Sequence, residues 1–103
     1  MFSATITERT PETVIHLEGD LDIAATPHLV GVVQGAMNAG YRRISLDLED
    51  VSFVDSTGLA CVARLTRRAS ELDIDLVLRH PNDLAARVLE VTGLDTVIDI
   101  RTG

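Results

Sequence analysis

Two hydroxyl side chains follow an acid in the stretch Asp55-Ser56-Thr57-Gly58. This stretch separates an apolar, strand-like run from Ile44 to Val54 from a run with helical periodicity, Leu59 to Leu72. It is therefore predicted to be a strand-to-helix turn, where unpaired backbone N–H groups and the helix dipole favour an anion. Ser56 is a candidate phosphate carrier. The alternative is that Asp55, Ser56 or Thr57 only caps the helix, the commonest role of these residue types there.

The common catalytic motifs do not fit this stretch. An aspartic protease has Asp directly before Thr-Gly or Ser-Gly, whereas Thr57 intervenes here between Ser56 and Gly58. Ser56 lies outside a Gly-x-Ser-x-Gly motif, and no pattern links any of the three histidines to it, so a serine hydrolase is a disfavoured alternative. The chain has no Lys for a Walker loop, and its histidines lack metal-ligand spacing. We predict no catalytic residue, metal or cofactor.

Composition predicts one folded domain over residues 1–103, with 46% hydrophobic and 24% charged residues. The net charge is −7 and every basic residue is an Arg. This sign opposes binding to nucleic-acid backbones and anionic membranes and favours a basic protein partner. Three aromatic residues are too few for a platform that stacks bases. We therefore expect neither a nucleic-acid nor a membrane partner.

Cysteine usage and hydropathy indicate the compartment. The single Cys61 lies in a helical pattern and is predicted to be a small core residue, so no disulfide is expected. No signal-peptide pattern is present, and no apolar run approaches about 18 residues. The chain is predicted to be cytoplasmic.

Hydrophobic periodicity predicts the order β-β-α-β-α-β-α-β, with parallel strands joined by right-handed crossovers after an N-terminal hairpin. The hairpin turn is placed at Thr10 to Thr13 and a tight connection at Gly19 to Asp22. Thr26 is predicted to cap the first helix, with Pro27 at its first position. The predicted strands are Phe2–Thr7, Val14–Glu18, Arg43–Leu48, Ile74–Arg79 and Val97–Arg101. The first predicted helix starts at Thr26-Pro27 and stops at Gly40, the second runs from the Ser56 turn to Leu72, and the third starts at Pro81-Asn82-Asp83 and ends at Gly93-Leu94.

Alternation along the strands predicts that helices cover only one face of the sheet, giving a wound β-α superhelix. The predicted inward residues are Ile15, Leu17, Ile44, Leu46, Ile74, Leu76, Ile98 and Ile100. The residues predicted to face water are His16, Glu18, Ser45, Asp47, Asp75, Arg79, Asp99 and Arg101. The third helix is predicted to carry the apolar residues Leu84, Val88, Leu89 and Val91.

Three segments together resemble the STAS domain, and more narrowly the bacterial anti-sigma factor antagonists. They are Gly19-Asp20-Leu21-Asp22 with Thr26 and Leu29, then Leu46 to Leu59, and finally Thr92-Gly93-Leu94. The run Val-Asp-Ser-Thr-Gly-Leu at residues 54–59 is the most specific part. The resemblance covers essentially the whole chain and implies the STAS fold.

The resemblance also implies a mechanism. Ser56 would be phosphorylated by an anti-sigma factor that is itself an ATP-dependent serine kinase, and a serine phosphatase would reset it. Unphosphorylated antagonist would bind the kinase and free its sigma factor. Asp22 matches an acidic residue in the neighbouring loop, and Asp55, Thr57 and Gly58 complete the turn. We expect the partner surface to extend along the following helix to Arg64 and Arg68.

Two points stay open at the level of sequence. The same fold serves as a regulatory subunit of transporters and in signalling scaffolds, which would dock without phosphorylation. Family members commonly continue into a further C-terminal helix, whereas this chain stops at Gly103. Loss of such a helix could expose apolar surface, so the expected state is a monomer or a weak dimer.

Overall fold

A computed structural model describes residues 1–9 and 12–101. Five strands form one sheet, in which they lie side by side in their order along the chain. The strands are β1 Phe2–Arg9, β2 Glu12–Leu21, β3 Arg43–Val54, β4 Asp75–Arg79 and β5 Ile100–Arg101, and the helices are α1 Thr26–Asn38, α2 Ser56–Glu71 and α3 Asp83–Thr92. Short 3₁₀ turns, Ile23–Ala25 and Leu94–Thr96, precede α1 and follow α3.

The strand pairing confirms the predicted α/β fold. β1 and β2 pair antiparallel as a hairpin, and each later strand pairs parallel with its predecessor. A sheet that grows in sequence order through right-handed crossovers places every crossover helix on the same face. Of the predicted hairpin turn, Thr10 and Pro11 lie outside the described residues.

Strand β2 is longer at both ends than predicted. Glu12 and Thr13 already pair with β1, and Gly19 to Leu21 continue the pairing with β3 instead of forming a tight connection. Gly19 has φ +91, and a β-carbon there would lie against the Met1 carbonyl oxygen. Because Gly19 has no side chain, the backbone of β2 can run close to Met1 at the beginning of the chain.

Two bulges explain the spacing of core residues along β3. Ile44, Leu46 and Leu48 are buried at intervals of two, but the next buried residues, Val51 and Val54, come at intervals of three. The pairing with β2 shifts by one residue between His16 and Glu18 and again between Gly19 and Asp20. Each extra residue in β3 reverses the alternation of its side chains. Both valines consequently turn toward the core.

The predicted core residues lie in one cluster with residues from all three helices. Seven of the eight predicted inward residues are buried, and Ile100 is half-buried because β5 is a short edge strand. The helices contribute Leu29, Val33 and Ala36 from α1, Leu59, Val62, Leu65 and Ala69 from α2, and Ala85 and Leu89 from α3. Cys61 is buried in the same cluster, as predicted.

The opposite face of the sheet is largely open, but the prediction for Ser45 is wrong. Ser45 is 1% exposed, because its hydroxyl lies beneath a half-buried ion pair. The Ser45 Oγ donates to Glu12 Oε1 at 2.5 Å and accepts from Arg79 Nε at 3.0 Å. Asp47 and Arg79 are only half-buried, and the other predicted outward residues are exposed.

Several predicted element ends and faces also need correction. Thr26 is the first residue of α1 and not its cap, because the 3₁₀ turn begins upstream. On α3, Leu84 and Val91 are exposed, since Ala85 and Leu89 take the buried positions. The last strand begins at Ile100 and not at Val97, because Val97 ends the second 3₁₀ turn, Leu94–Thr96. Among the described residues, no helix is long and apolar enough to span a membrane.

Candidate functional site

Two helix starts lie side by side at one edge of the sheet. Leu21 at the end of β2 pairs with Val54 at the end of β3, so Asp22 and Asp55 follow paired positions. The Asp55 backbone N–H donates to the Leu21 carbonyl at 3.3 Å and joins the two segments. We call the Asp22 turn and the Asp55–Gly58 turn the paired turns. The structure thus brings together five residues of the predicted partner surface, Asp22 and Asp55 to Gly58.

Asp55 caps helix α2. Its backbone is extended, and its Oδ1 accepts from the Gly58 backbone N–H at 2.8 Å. Its carbonyl accepts from the Leu59 N–H at 3.2 Å. Of the three residues considered as caps, the structure selects the acid. The side chains of Ser56 and Thr57 are exposed at the first turn of a 16-residue helix.

Gly58 is buried where α2 passes the end of β2. A β-carbon at this position would lie 2.2 Å from the Leu21 carbonyl oxygen and 3.0 Å from the Leu21 Cγ. A side chain here would therefore require the helix to move away from the strand. The close approach holds Ser56 next to the Asp22 turn.

Asp22 has the same capping role in the neighbouring turn. Its Oδ1 accepts from the Ala25 backbone N–H at 3.1 Å and caps the 3₁₀ turn. Thr26 donates from its Oγ1 to the Ile23 carbonyl at 2.9 Å and closes the turn. The two acids that flank Ser56 are thus both hydrogen-bonded to helix-start donors.

Arg64 lies apart from the paired turns. It is exposed on α2, eight residues beyond Ser56 and so about 12 Å along the helix axis. It lines the same groove as the buried Cys61. Burial raises the pKa of Cys61, and the charge of Arg64 opposes that rise. Arg68 follows one turn later, 4.0 Å from Glu71.

Two exposed apolar residues beside the paired turns were missed in the sequence analysis. Ile23 directly follows Asp22 and is 70% exposed, and Phe53 is 47% exposed near the end of β3. Phe53 pairs with Asp20 across the strands. In the sequence, both resemble ordinary core residues within apolar runs. Their exposure suits contact with a protein surface.

Two histidines contact residues other than Ser56. In the described part of the chain, no hydrogen bond joins Ser56 to a histidine, and no group of acids, His or Cys could hold a metal ion. His16 pairs with Asp47 on the open face of the sheet at 3.2 Å. His28 packs edge-on against Phe2, with ring centroids 5.5 Å apart. These side chains are engaged elsewhere.

A family model and a curated relative indicate one family, and solved structures indicate the fold. A family model described as "Mlab, STAS domain" matches residues 5–101. The anti-sigma-B factor antagonist of Staphylococcus aureus is 30% identical over 89 residues, which cover 86% of this chain and 82% of that protein. Among solved structures, the anti-sigma factor antagonist SpoIIAA in its unphosphorylated form has a TM-score of 0.80 at 23% identity, covering 98% of this chain and 88% of that chain.

The phosphorylated form of SpoIIAA, a Bacillus cell fate determinant, has a TM-score of 0.71 at 24% identity. The match covers 100% of this chain and 91% of that chain. At these identities, the two solved structures establish a shared fold.

Proposed function

Because the chain belongs to the STAS-domain family of anti-sigma factor antagonists, we propose that it binds an anti-sigma factor through its paired turns and is released when Ser56 is phosphorylated. The observation that carries this proposal is the exposed Ser56 hydroxyl at the first position of α2, next to the Asp55 cap. Asp22, Thr57 and Gly58 complete the proposed contact surface. Ile23 and Phe53 add apolar area to it.

The first turn of α2 suits a phosphate. Asp55 already engages the N–H groups of Gly58 and Leu59 through its side chain and carbonyl. The remaining N–H groups at the helix start, with the positive end of the dipole, are suitable donors to phosphate oxygens. Phosphorylation adds roughly −1.5 to −2 charge at this position. The domain itself therefore tolerates the modification.

Release would arise at the interface. Asp22 and Asp55 flank Ser56, so a phosphate adds charge to a turn that is already acidic. A partner shaped around a neutral hydroxyl would have to bury this charge without a matching cation. If the phosphorylated chain binds with a free energy about 3 kcal/mol less favourable than the unphosphorylated chain, its affinity is more than a hundredfold weaker.

The proposed partner is an anti-sigma factor that is also a serine kinase and supplies the ATP site itself. Its capture by unphosphorylated antagonist would free a sigma factor in the cytoplasm. A serine phosphatase would restore the hydroxyl. SpoIIAA, which shares the fold, occurs in both phosphorylated and unphosphorylated forms.

Incubation with candidate serine-kinase anti-sigma factors and ATP, followed by mass-spectrometric site mapping, tests this function. We expect phosphate on Ser56 in the wild-type chain and in Thr57→Ala, and none in Ser56→Ala. Thr57→Ala is the matched control because its hydroxyl is exposed in the same turn. Phosphate on Thr57, or the absence of any binding kinase, would overturn the proposal.

A further inference from the structure

A groove of about 410 Å³ lies between α1 and α2. Both helices follow parallel strands, so they run in the same direction and start at the same edge of the sheet. The groove begins at Thr26, directly beyond the Asp22 turn, and reaches Gln34 on α1. This span corresponds to about 12 Å, or two helical turns. The groove is therefore continuous with the paired turns.

The groove combines apolar surface with positive charge. Val30 is half-buried and provides exposed apolar surface, and Cys61 and Leu65 form the buried floor of the groove. Arg64 and Arg68 provide cations one turn apart on α2. In the described part of the chain, no acidic side chain lines this groove. The whole protein carries 16 acidic residues against nine arginines, so the local sign is opposite to the net charge of −7. Such a surface is complementary to an acidic, partly apolar segment.

Both arginines are available to a partner. Arg64 is exposed and lines the groove together with Cys61, and burial raises the pKa of the Cys61 thiol. A carboxylate would be a stronger acceptor than a thiol. Arg68 and Glu71 lie 4.0 Å apart, and both side chains are 61% exposed. Exposed pairs of this kind contribute little, so a new contact can replace this one at small cost.

We propose that this groove binds an acidic amphipathic helix of the same anti-sigma factor that contacts Ser56. Apolar residues spaced three or four apart would pack on Val30 and Leu65, and carboxylates on the flanks would pair with Arg64 and Arg68. A helix fits because the walls are themselves two helices, whose side-chain ridges accept a third. The groove provides an anchor that phosphate at Ser56 does not touch. This inference rests on the proposed function.

The test measures the affinity of the anti-sigma factor that phosphorylates Ser56, without ATP, for four variants. They are Arg64→Glu, Arg68→Glu, Arg67→Glu and Ser56→Asp. Arg67 is the matched control, because it is an exposed arginine on α2 outside the groove and its reversal changes net charge equally. We expect the two groove reversals each to weaken binding about tenfold, and Arg67→Glu less than about twofold. Circular dichroism checks that each variant folds.

The salt dependence of the affinity and the chemical shifts of backbone amides in nuclear magnetic resonance spectra make the test specific. The affinity of the wild-type chain should fall with added salt, and the Arg64→Glu/Arg68→Glu double variant should lose most of this dependence. In a ¹⁵N-labelled chain, amides of Val30 and Leu65 should shift on adding the partner. Suppose that Ser56→Asp abolishes binding as expected. Equal losses of affinity for all three arginine reversals, or no amide shifts in the groove, would then overturn the inference about the groove alone. Retained binding by Ser56→Asp would instead contradict the proposed function.

Discussion

Gly58 passes so close to Leu21 that a β-carbon on the glycine would lie 2.2 Å from the leucine carbonyl oxygen. The start of α2 and the end of β2 are thus in backbone contact at the point where Ser56 is presented. The position of Ser56, the candidate phosphate carrier, therefore depends on residue 58 being a glycine.

Gly58→Ala should therefore destabilise the domain by about 1–3 kcal/mol, the usual cost of an added methyl group in a filled space. Gly31→Ala is the control, since nothing lies within 4 Å of a β-carbon there. That change, within α1, should stabilise by about 0.5–1 kcal/mol. Urea unfolding curves compare the two variants. Equal stability changes would mean that α2 can move freely away from β2.

Asp55→Ala should cost about 1 kcal/mol of stability, because it removes the cap that accepts from Gly58 at 2.8 Å. Asp55→Asn keeps an acceptor oxygen and should retain most of the stability. Thermal unfolding of both variants measures the difference. If Asp55→Ala and Asp55→Asn lose the same stability, the hydrogen bond of the cap contributes nothing and only the charge of Asp55 matters.

Leu46→Ala should cost about 2–5 kcal/mol, since Leu46 is fully buried at the centre of the sheet. Such a loss is a large part of the stability of a small domain. Leu84→Ala provides the comparison, because Leu84 is 40% exposed on α3. The same truncation there should cost less than about 1 kcal/mol. Chemical denaturation gives both values, and a comparable loss at Leu84 would show that α3 packs differently.

Thr13→Val should stabilise the protein by about 1 kcal/mol. The Thr13 hydroxyl is buried and has no hydrogen-bond partner in the described part of the chain. Replacing the hydroxyl with a methyl group of similar size removes the free-energy cost of burying a polar group without a hydrogen bond. Thr66→Val is the control, because the Thr66 hydroxyl donates to the Val62 carbonyl at 3.0 Å. Its stability should not increase, and calorimetry compares the two melting temperatures.

Ser56→Asp should fold normally and bind the anti-sigma factor at least about a hundredfold more weakly than Ser56→Ala. The added carboxylate lies at an exposed helix start and needs no internal rearrangement. Nuclear magnetic resonance spectra should differ from wild type only near the paired turns. Shifts spread through all three helices would instead indicate a change of shape within the domain.

Periodicity alone was sufficient for the order of strands and helices and for most core residues. Alternation in Ile44, Leu46 and Leu48, and helical spacing from Leu59 to Leu72, reflect which side of each element meets water. The resemblance carried by residues 54–59 led to the STAS family, and the family match confirms it. The proposed role of Ser56 stays a prediction until a phosphate is mapped.

Local pattern could not reveal what depends on contacts between distant segments. The bulges that turn Val51 and Val54 inward arise from pairing with β2, and burial of Ser45 arises from Glu12 and Arg79 meeting above it. In the site, the sequence by itself determined an acid, two hydroxyls and a glycine at a helix start. Only the tertiary structure decided that the acid is the cap and that the Asp22 turn lies alongside. The physical reason is that strand pairing and backbone contact, here between Leu21 and residues 54–58, join segments more than 30 positions apart.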